Sequence, residues 1–104
     1  MRAQNFKVIL MKHAEDVIDL LEANGKRYGD DMLNLFKEDY CIIHTTAKCL
    51  RVRNMIKQRR TNNETGNWNN MEEEQNMETT IREESRDILG YALLLYAIQE
   101  GLIK

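Results

Sequence analysis

Cationic side chains stand among apolar neighbours in the segment AKCLRVRNM. When this segment is drawn as a helix with about 100° per residue, His44, Lys48 and Arg51 fall within one arc of about 60°. Arginine offers a planar fork of donors and lysine a compact charge, and both suit a phosphate held beside apolar surroundings. The spacing therefore predicts a phosphate-binding stripe. Arg53 and Lys57, on the other side of the helix, are expected to face solvent or acidic residues.

Carboxylates form a second cluster further along the chain. Glu83 and Glu84 each precede Asp87 by one helical turn, and Tyr91 follows one turn later. Carboxylate oxygens are ligands for Mg²⁺, which keeps bound waters and also binds substrate phosphates. Two interpretations are open at this point. The carboxylates hold Mg²⁺, or they pair with Lys48 and Arg51 in a partly buried ion network.

Three helices are predicted to position these clusters, and the chain contains no proline. Between the second and third helix, the segment TNNETGNWNN is expected to be an exposed Asn-rich loop with Trp68 as its anchor. The predicted fold is all-α, a compact bundle of about three main helices in a single domain, residues 1–104. The expected bounds are Phe6 to the segment NGKRYGDD, then Lys37 or Asp39 to about Arg60, then about Met71 to Glu100.

The net charge of −2 conceals two oppositely charged blocks. Residues 40–63 contain six Lys or Arg and no acid, whereas residues 64–87 contain eight acids and two Arg. The blocks should attract each other, which favours an antiparallel helix pair and makes a free nucleic-acid surface improbable. The third helix is nearly all apolar from Ile88 to Ile98, and a chain of this length cannot enclose it. We therefore expect a homo-oligomer.

Composition and cysteine usage indicate a cytoplasmic protein. The chain is 42% hydrophobic and 31% charged, and no apolar run approaches the roughly 18 residues that span a bilayer. Its N-terminus lacks a small-residue cleavage site, so neither secretion nor a membrane is expected. Cys41 and Cys49 lie roughly 12 Å apart along one helix, too far to form a disulfide, and reduced thiols fit the cytoplasm.

Three motifs occur in the order GKRYGDD, KCLRVRNM and EESRDILGYALLL. Their order and spacing, over residues 24–98, resemble the nucleotide modification associated domain family, small proteins frequent in phages. That family is similar in helical architecture to the MazG-type all-α nucleotide pyrophosphohydrolases. The matching residues are Lys26, Tyr28, Gly29 and Asp30 in the first motif, Lys48, Arg51, Asn54 and Met55 in the second, and Glu83, Glu84, Asp87, Gly90, Tyr91 and Ala92 in the third.

The resemblance implies a nucleotide or nucleotide-derived ligand, a divalent metal such as Mg²⁺, and the host cytoplasm if the chain is of phage origin. MazG-type enzymes carry a second E-x-x-E pair on the preceding helix, where this chain has Lys48 and Arg51. Three functions stay open: a pyrophosphohydrolase, a non-catalytic nucleotide binder, or a helical interaction protein. The implied roles are catalysis by Glu84 and Asp87, metal binding by Glu83, Glu84 and Asp87, phosphate binding by Lys48, Arg51 and Lys26, and other ligand contacts by Tyr28, His44, Asn54 and Tyr91.

Overall fold

A computed structural model describes the backbone of residues 4–28 and 31–102, and the side chains of residues 4–23 and 38–102. The described chain forms three long helices and no strand. This confirms the predicted all-α bundle of three main helices. The helices are α1 (Phe6–Tyr28), α2 (Asp31–Thr65) and α3 (Met71–Gln99).

The first connection is shorter than predicted. α1 continues through Asn24 and Gly25 to Tyr28, and α2 begins at Asp31, ahead of the expected start at Lys37 or Asp39. A helix interior tolerates a single glycine at a cost of about 1 kcal/mol, and the chain has no proline that would end either helix. Asn24 and Gly25 therefore do not end α1, although the helix ends within the predicted segment NGKRYGDD, at Tyr28.

The second connection is also shorter than predicted, because α2 extends past Arg60 to Thr65. The polar residues of this last stretch form hydrogen bonds along the helix. The hydroxyl of Thr65 donates to the carbonyl of Thr61 at 2.8 Å, and Gln58 Nε2 donates to Oδ1 of the buried Asn62 at 2.9 Å. Polar composition alone had indicated a loop here, and that prediction was wrong for residues 61–65.

The remaining loop, residues 66–70, ends in a defined helix cap. Gly66 has a φ of 69°, and Asn70 accepts a hydrogen bond from the backbone N–H of Glu73 at 2.8 Å. Glu73 in turn accepts from the N–H of Asn69 at 3.0 Å. These hydrogen bonds cap the N-terminus of α3, which starts at Met71 as predicted. The predicted anchor Trp68 donates from Nε1 to Oδ1 of Asn63 at 2.8 Å.

α2 and α3 form an antiparallel pair, and α1 packs mainly on α3. Lys48 lies opposite Glu84, and Arg59, further along α2, lies opposite the earlier Glu78 of α3. The Arg59 Nη1 to Glu78 Oε1 distance is 3.0 Å. The predicted attraction between the basic and the acidic block is therefore realised within one chain.

The apolar core of the described chain is small. Its buried apolar side chains are Val17, Cys41 and Ile81, of which only Cys41 is fully buried. Among residues 88–98, the nearly all-apolar stretch of α3, only Gly90 is buried and most of the others are half-buried. Large apolar side chains of α1 stay exposed, including Ile9 at 50% and Leu10 at 52%. No described helix is long and apolar enough to cross a membrane.

Candidate functional site

Lys48 is the centre of a cluster of charges between α2 and α3. Its Nζ lies 3.0 Å from Oε2 of Glu84 and 3.0 Å from Oδ2 of Asp87. Only 20% of the Lys48 side chain is exposed, compared with 11% for Glu84 and 44% for Asp87. The ammonium thus bridges two carboxylates that lie one turn apart on α3.

Arg51 completes this ion cluster, which we define as Lys48, Arg51, Glu84 and Asp87. Its Nη1 lies 3.4 Å from Oε1 of Glu84, and 63% of its side chain is exposed. Glu84 therefore contacts both cations, one at each carboxylate oxygen. The guanidinium of Arg51 makes one long contact inside the cluster, so most of its donors face solvent.

Three rings pack together beside the ion cluster and form what we call the aromatic group, Tyr40, His44 and Tyr91. The ring centroids of His44 and Tyr91 are 5.1 Å apart with an interplanar angle of 16°. Tyr40 lies 4.3 Å from His44 at 49° and 6.0 Å from Tyr91 at 65°. These separations are within the range of favourable aromatic contacts, about 4.5 to 7 Å, or just below it.

Helical spacing explains why these two groups are continuous. On α2, Tyr40, His44 and Lys48 follow one another at intervals of one turn, and Arg51 comes three residues later. On α3, Glu84, Asp87 and Tyr91 have the same spacing. Because the two helices are antiparallel, the aromatic ends of both stripes meet, and so do the charged ends. The result is one seam, aromatic at one end and ionic at the other.

The surroundings of the seam shift the pKa of two of its members. The pKa of Lys48 is raised, mainly by its hydrogen bond to Glu84 and also by Asp87, while burial opposes the rise. Burial is the largest cause of the raised pKa of the Tyr91 hydroxyl, followed by its interactions with Tyr40. Both groups therefore hold their protons more firmly than usual at neutral pH.

The structure brings some of the sequence-predicted site residues together. His44, Lys48, Arg51, Glu84, Asp87 and Tyr91 all lie on the seam. Glu83 lies about 100° around α3 from Glu84 and is exposed. Asn54, on α2, is also exposed. The side chains of Lys26 and Tyr28, together with Gly29 and Asp30, lie outside the described residues.

Two of the three predicted magnesium ligands, Glu84 and Asp87, converge on one cation, the ammonium of Lys48. In the part of the chain with described side chains, no group of three or more His, Cys, Asp or Glu residues is placed to hold a metal ion. Glu84 and Asp87 do converge, but the ammonium of Lys48 lies between them, in the position of a bridging cation. The arrangement as it stands therefore fits a resident Mg²⁺ poorly, and the predicted trio of metal ligands stays a prediction.

Tyr40 belongs to the seam although the motifs do not include it. Its contact with His44 could have been found from spacing, because the two residues lie four apart on one helix. Its proximity to Tyr91 could not, because that contact depends on how α2 and α3 are aligned.

Searches against known protein families, curated proteins and solved structures found no match to this chain. Membership in the family suggested by the three motifs therefore stays a prediction.

Proposed function

We propose that the protein binds a nucleotide or a nucleotide-derived small molecule at the seam between α2 and α3. The observation that carries this proposal is the continuity of the aromatic group with the ion cluster on one surface. A nucleotide has the same two parts, a flat base and an anionic phosphate. The aromatic group and the ion cluster offer a contact for each of these parts.

Arg51 is the proposed primary phosphate contact. Its guanidinium is 63% exposed and uses one long contact to Glu84, so it can form a bidentate pair with a phosphate. Lys48 contributes less in this resting arrangement because Glu84 and Asp87 already neutralise it. Phosphate binding by Lys48 requires its ammonium to release one carboxylate, and Asp87 is the more exposed of the two.

The aromatic group is the proposed contact for the base. His44 and Tyr91 are parallel to within 16°, and both are only partly buried. A base can stack on an exposed ring face, and such stacking is worth about 1 to 3 kcal/mol per base. The chemistry of stacking favours no particular base, so the proposed ligand class is a nucleotide without a specified base.

We propose that Mg²⁺ binds together with the nucleotide. Nucleotide phosphates bring Mg²⁺ with them, and a carboxylate released by Lys48 is a suitable oxygen ligand for that ion. The predicted roles of Glu84 and Asp87 in pyrophosphate hydrolysis are tested by whether phosphate or pyrophosphate is released when nucleotide and Mg²⁺ are both present.

A thermal-shift screen tests the proposal, because a ligand that binds only the folded state raises its apparent stability. Purified protein is heated with nucleoside mono-, di- and triphosphates, each with Mg²⁺ and with chelator. At least one nucleotide should raise the melting temperature, and its free nucleoside should raise it less. A screen in which no nucleotide shifts the melting temperature would contradict the proposal.

We also propose that the working form is a homo-oligomer. The described chain leaves large apolar side chains exposed on α1 and covers most of the apolar second half of α3 only partly. Exposed apolar surface of this kind marks sites of protein association. Light scattering of the purified protein tests this proposal independently of any nucleotide.

A further inference from the structure

We propose that two copies of the protein pair through α1, with the two helices antiparallel about a two-fold axis near Ala14. This inference specifies the interface of the proposed homo-oligomer. It does not depend on nucleotide binding, because the ion cluster and the aromatic group lie on α2 and α3.

The apolar arc of α1 is wider than the surface that α3 covers. At about 100° per residue, the apolar side chains of α1 span about 200° of the helix, from Ile9 at one edge to Met11 at the other. α3 covers the middle of this arc, where Val17 is 3% exposed and faces Gly90. Ile9 and Leu20 lie at one edge of the arc, outside the part that α3 covers, and they are 50% and 46% exposed.

Ile9 and Leu20 point in nearly the same direction and lie eleven residues apart, about 16 Å at 1.5 Å per residue. One is in the first half of the described part of α1 and the other in the second half. An antiparallel copy of the same helix therefore brings Leu20 of the partner subunit towards Ile9, and the partner's Ile9 towards Leu20. The two-fold symmetry forms this contact twice, so Ile9 and Leu20 are covered in both copies.

Charge selects a second copy as the occupant and sets its direction. Among the described side chains of α1, the first half carries only basic charges and the second half only acidic ones. In an antiparallel pair each basic half lies beside an acidic half, whereas a parallel pair would place like charges together. The residues are Lys7 and Lys12 in the first half and Glu15, Asp16, Asp19 and Glu22 in the second.

Lys12 and Asp16 form the most specific contact of this arrangement. Both lie on the polar side of Ile9 and Leu20, and both are exposed. With the two-fold axis near Ala14, Lys12 of one copy lies beside Asp16 of the partner subunit, and the reverse contact forms by symmetry. Residues on the rim of an interface contribute mainly to specificity, so this pair fixes the alignment of the two helices.

Analytical ultracentrifugation of matched variants tests the apolar part of the interface. The wild-type chain should sediment as a dimer of 12.3 kDa subunits, and Ile9→Asp should sediment as a monomer. Val8→Asp is the control, because Val8 is 68% exposed and lies on the polar side of α1. It should remain a dimer. Both positions are exposed, so both variants should keep the helical circular dichroism of the wild type.

A charge exchange tests the direction of the helices. Lys12→Glu alone and Asp16→Lys alone each place like charges together, so each should raise the dimer Kd by about tenfold or more. The double variant Lys12→Glu, Asp16→Lys restores opposite charges in the antiparallel pair and should dimerise like the wild type. An equimolar mixture of the two single variants should also recover dimers.

Three results would overturn the inference, in different ways. A monomeric wild type would overturn both the interface and the proposed homo-oligomer. An oligomer that persists in Ile9→Asp would place the interface elsewhere while leaving the homo-oligomer intact. A double charge variant no better than its parents would contradict the antiparallel alignment. Nucleotide binding that persists in monomeric Ile9→Asp would leave the proposed function untouched.

Discussion

The Nζ of Lys48 and the Oε2 of Glu84 are 3.0 Å apart across two helices, and both side chains are mostly withdrawn from solvent. Attraction between opposite charges is stronger in such surroundings than in water, but so is the cost of leaving either charge alone. This pair joins α2 to α3 at the point where the candidate site also lies. Its removal therefore affects stability as well as binding.

Lys48→Met should lower the free energy of unfolding by about 1 to 3 kcal/mol, because it leaves the carboxylate of Glu84 dehydrated with only the long contact to Arg51. Adding Glu84→Gln to this variant should recover part of the loss. Lys57→Met is the control on the exposed side of α2 and should change little. Urea denaturation measures the free energy of unfolding of each variant. A Lys48→Met protein as stable as the wild type would mean that the ion cluster does not stabilise the fold.

Asp87→Asn should destabilise the ligand-free protein less than Glu84→Gln does. Both carboxylates contact Lys48 at 3.0 Å, but Asp87 is 44% exposed and Glu84 only 11%. The more exposed pair is screened by water and is worth about 0.5 to 1 kcal/mol. If Asp87→Asn instead raises the melting temperature in chelator, repulsion between the carboxylates dominates, and a metal site at Glu84 and Asp87 gains support.

Stability should fall on the alkaline side of neutrality. Burial raises the pKa of Cys41 above its ordinary value of 9.0, and it is the largest cause of the raised pKa of Tyr91, which is ordinarily 10.0. The hydrogen bond to Glu84 is the largest cause of the raised pKa of Lys48, which is ordinarily 10.5. In each case the folded chain holds a proton that the unfolded chain releases. The stability from these groups is therefore complete below the ordinary values and is lost as pH rises through the folded ones.

Urea unfolding at a series of pH values checks this dependence. The free energy of unfolding should decrease above about pH 9, and the decrease should be shallower in Tyr91→Phe and in Lys48→Met, since each lacks one of the titrating groups. Stability that rises between neutral pH and pH 10 would contradict the raised pKa values.

Gly90→Ala should be tolerated or slightly stabilising. A Cβ at this position would lie 3.6 Å from Cδ2 of Leu21 and 3.7 Å from Cγ1 of Val17, both ordinary contacts. Alanine is favoured over glycine inside a helix by about 0.5 to 1 kcal/mol. Gly101→Ala is the contrasting variant, because Gly101 has a φ of 70° and a side chain there is strained. A marked loss of stability in Gly90→Ala would mean that α1 packs on α3 more closely than described.

The sequence predicted the helices better than their ends. The start of α3 can be predicted from the sequence, because Asn70 and the acidic residues after it are a local capping signal. The end of α2 was not, because the hydrogen bonds of Thr65 and Asn62 use the same polar side chains that usually indicate a loop.

The members of the candidate site on each helix could likewise be predicted, since His44, Lys48 and Arg51 share one arc of α2. The sequence limits their partners on α3 to a few carboxylates but does not select one of them. Periodicity gives the face of each helix, but the choice of Glu84 over Glu83 as the partner of Lys48 depends on the alignment of the two helices. Adjacent helical positions differ in direction by about 100°, so the rotation of α3 against α2 decides which carboxylate is buried, and no local pattern encodes that rotation.

Isothermal titration of two conservative variants tests the central claim, that the exposed guanidinium of Arg51 binds the phosphate of a nucleotide at the seam. Arg51→Lys keeps the charge but removes the bidentate fork, so it should weaken binding of the best nucleotide from the screen by about 1 to 3 kcal/mol. Arg53→Lys, a matched change two residues away at an exposed position, should bind as the wild type does. Circular dichroism should show both variants to be folded. If folded Arg51→Lys retains wild-type affinity, or if Arg53→Lys is the variant that loses the ligand, the account of this site is wrong.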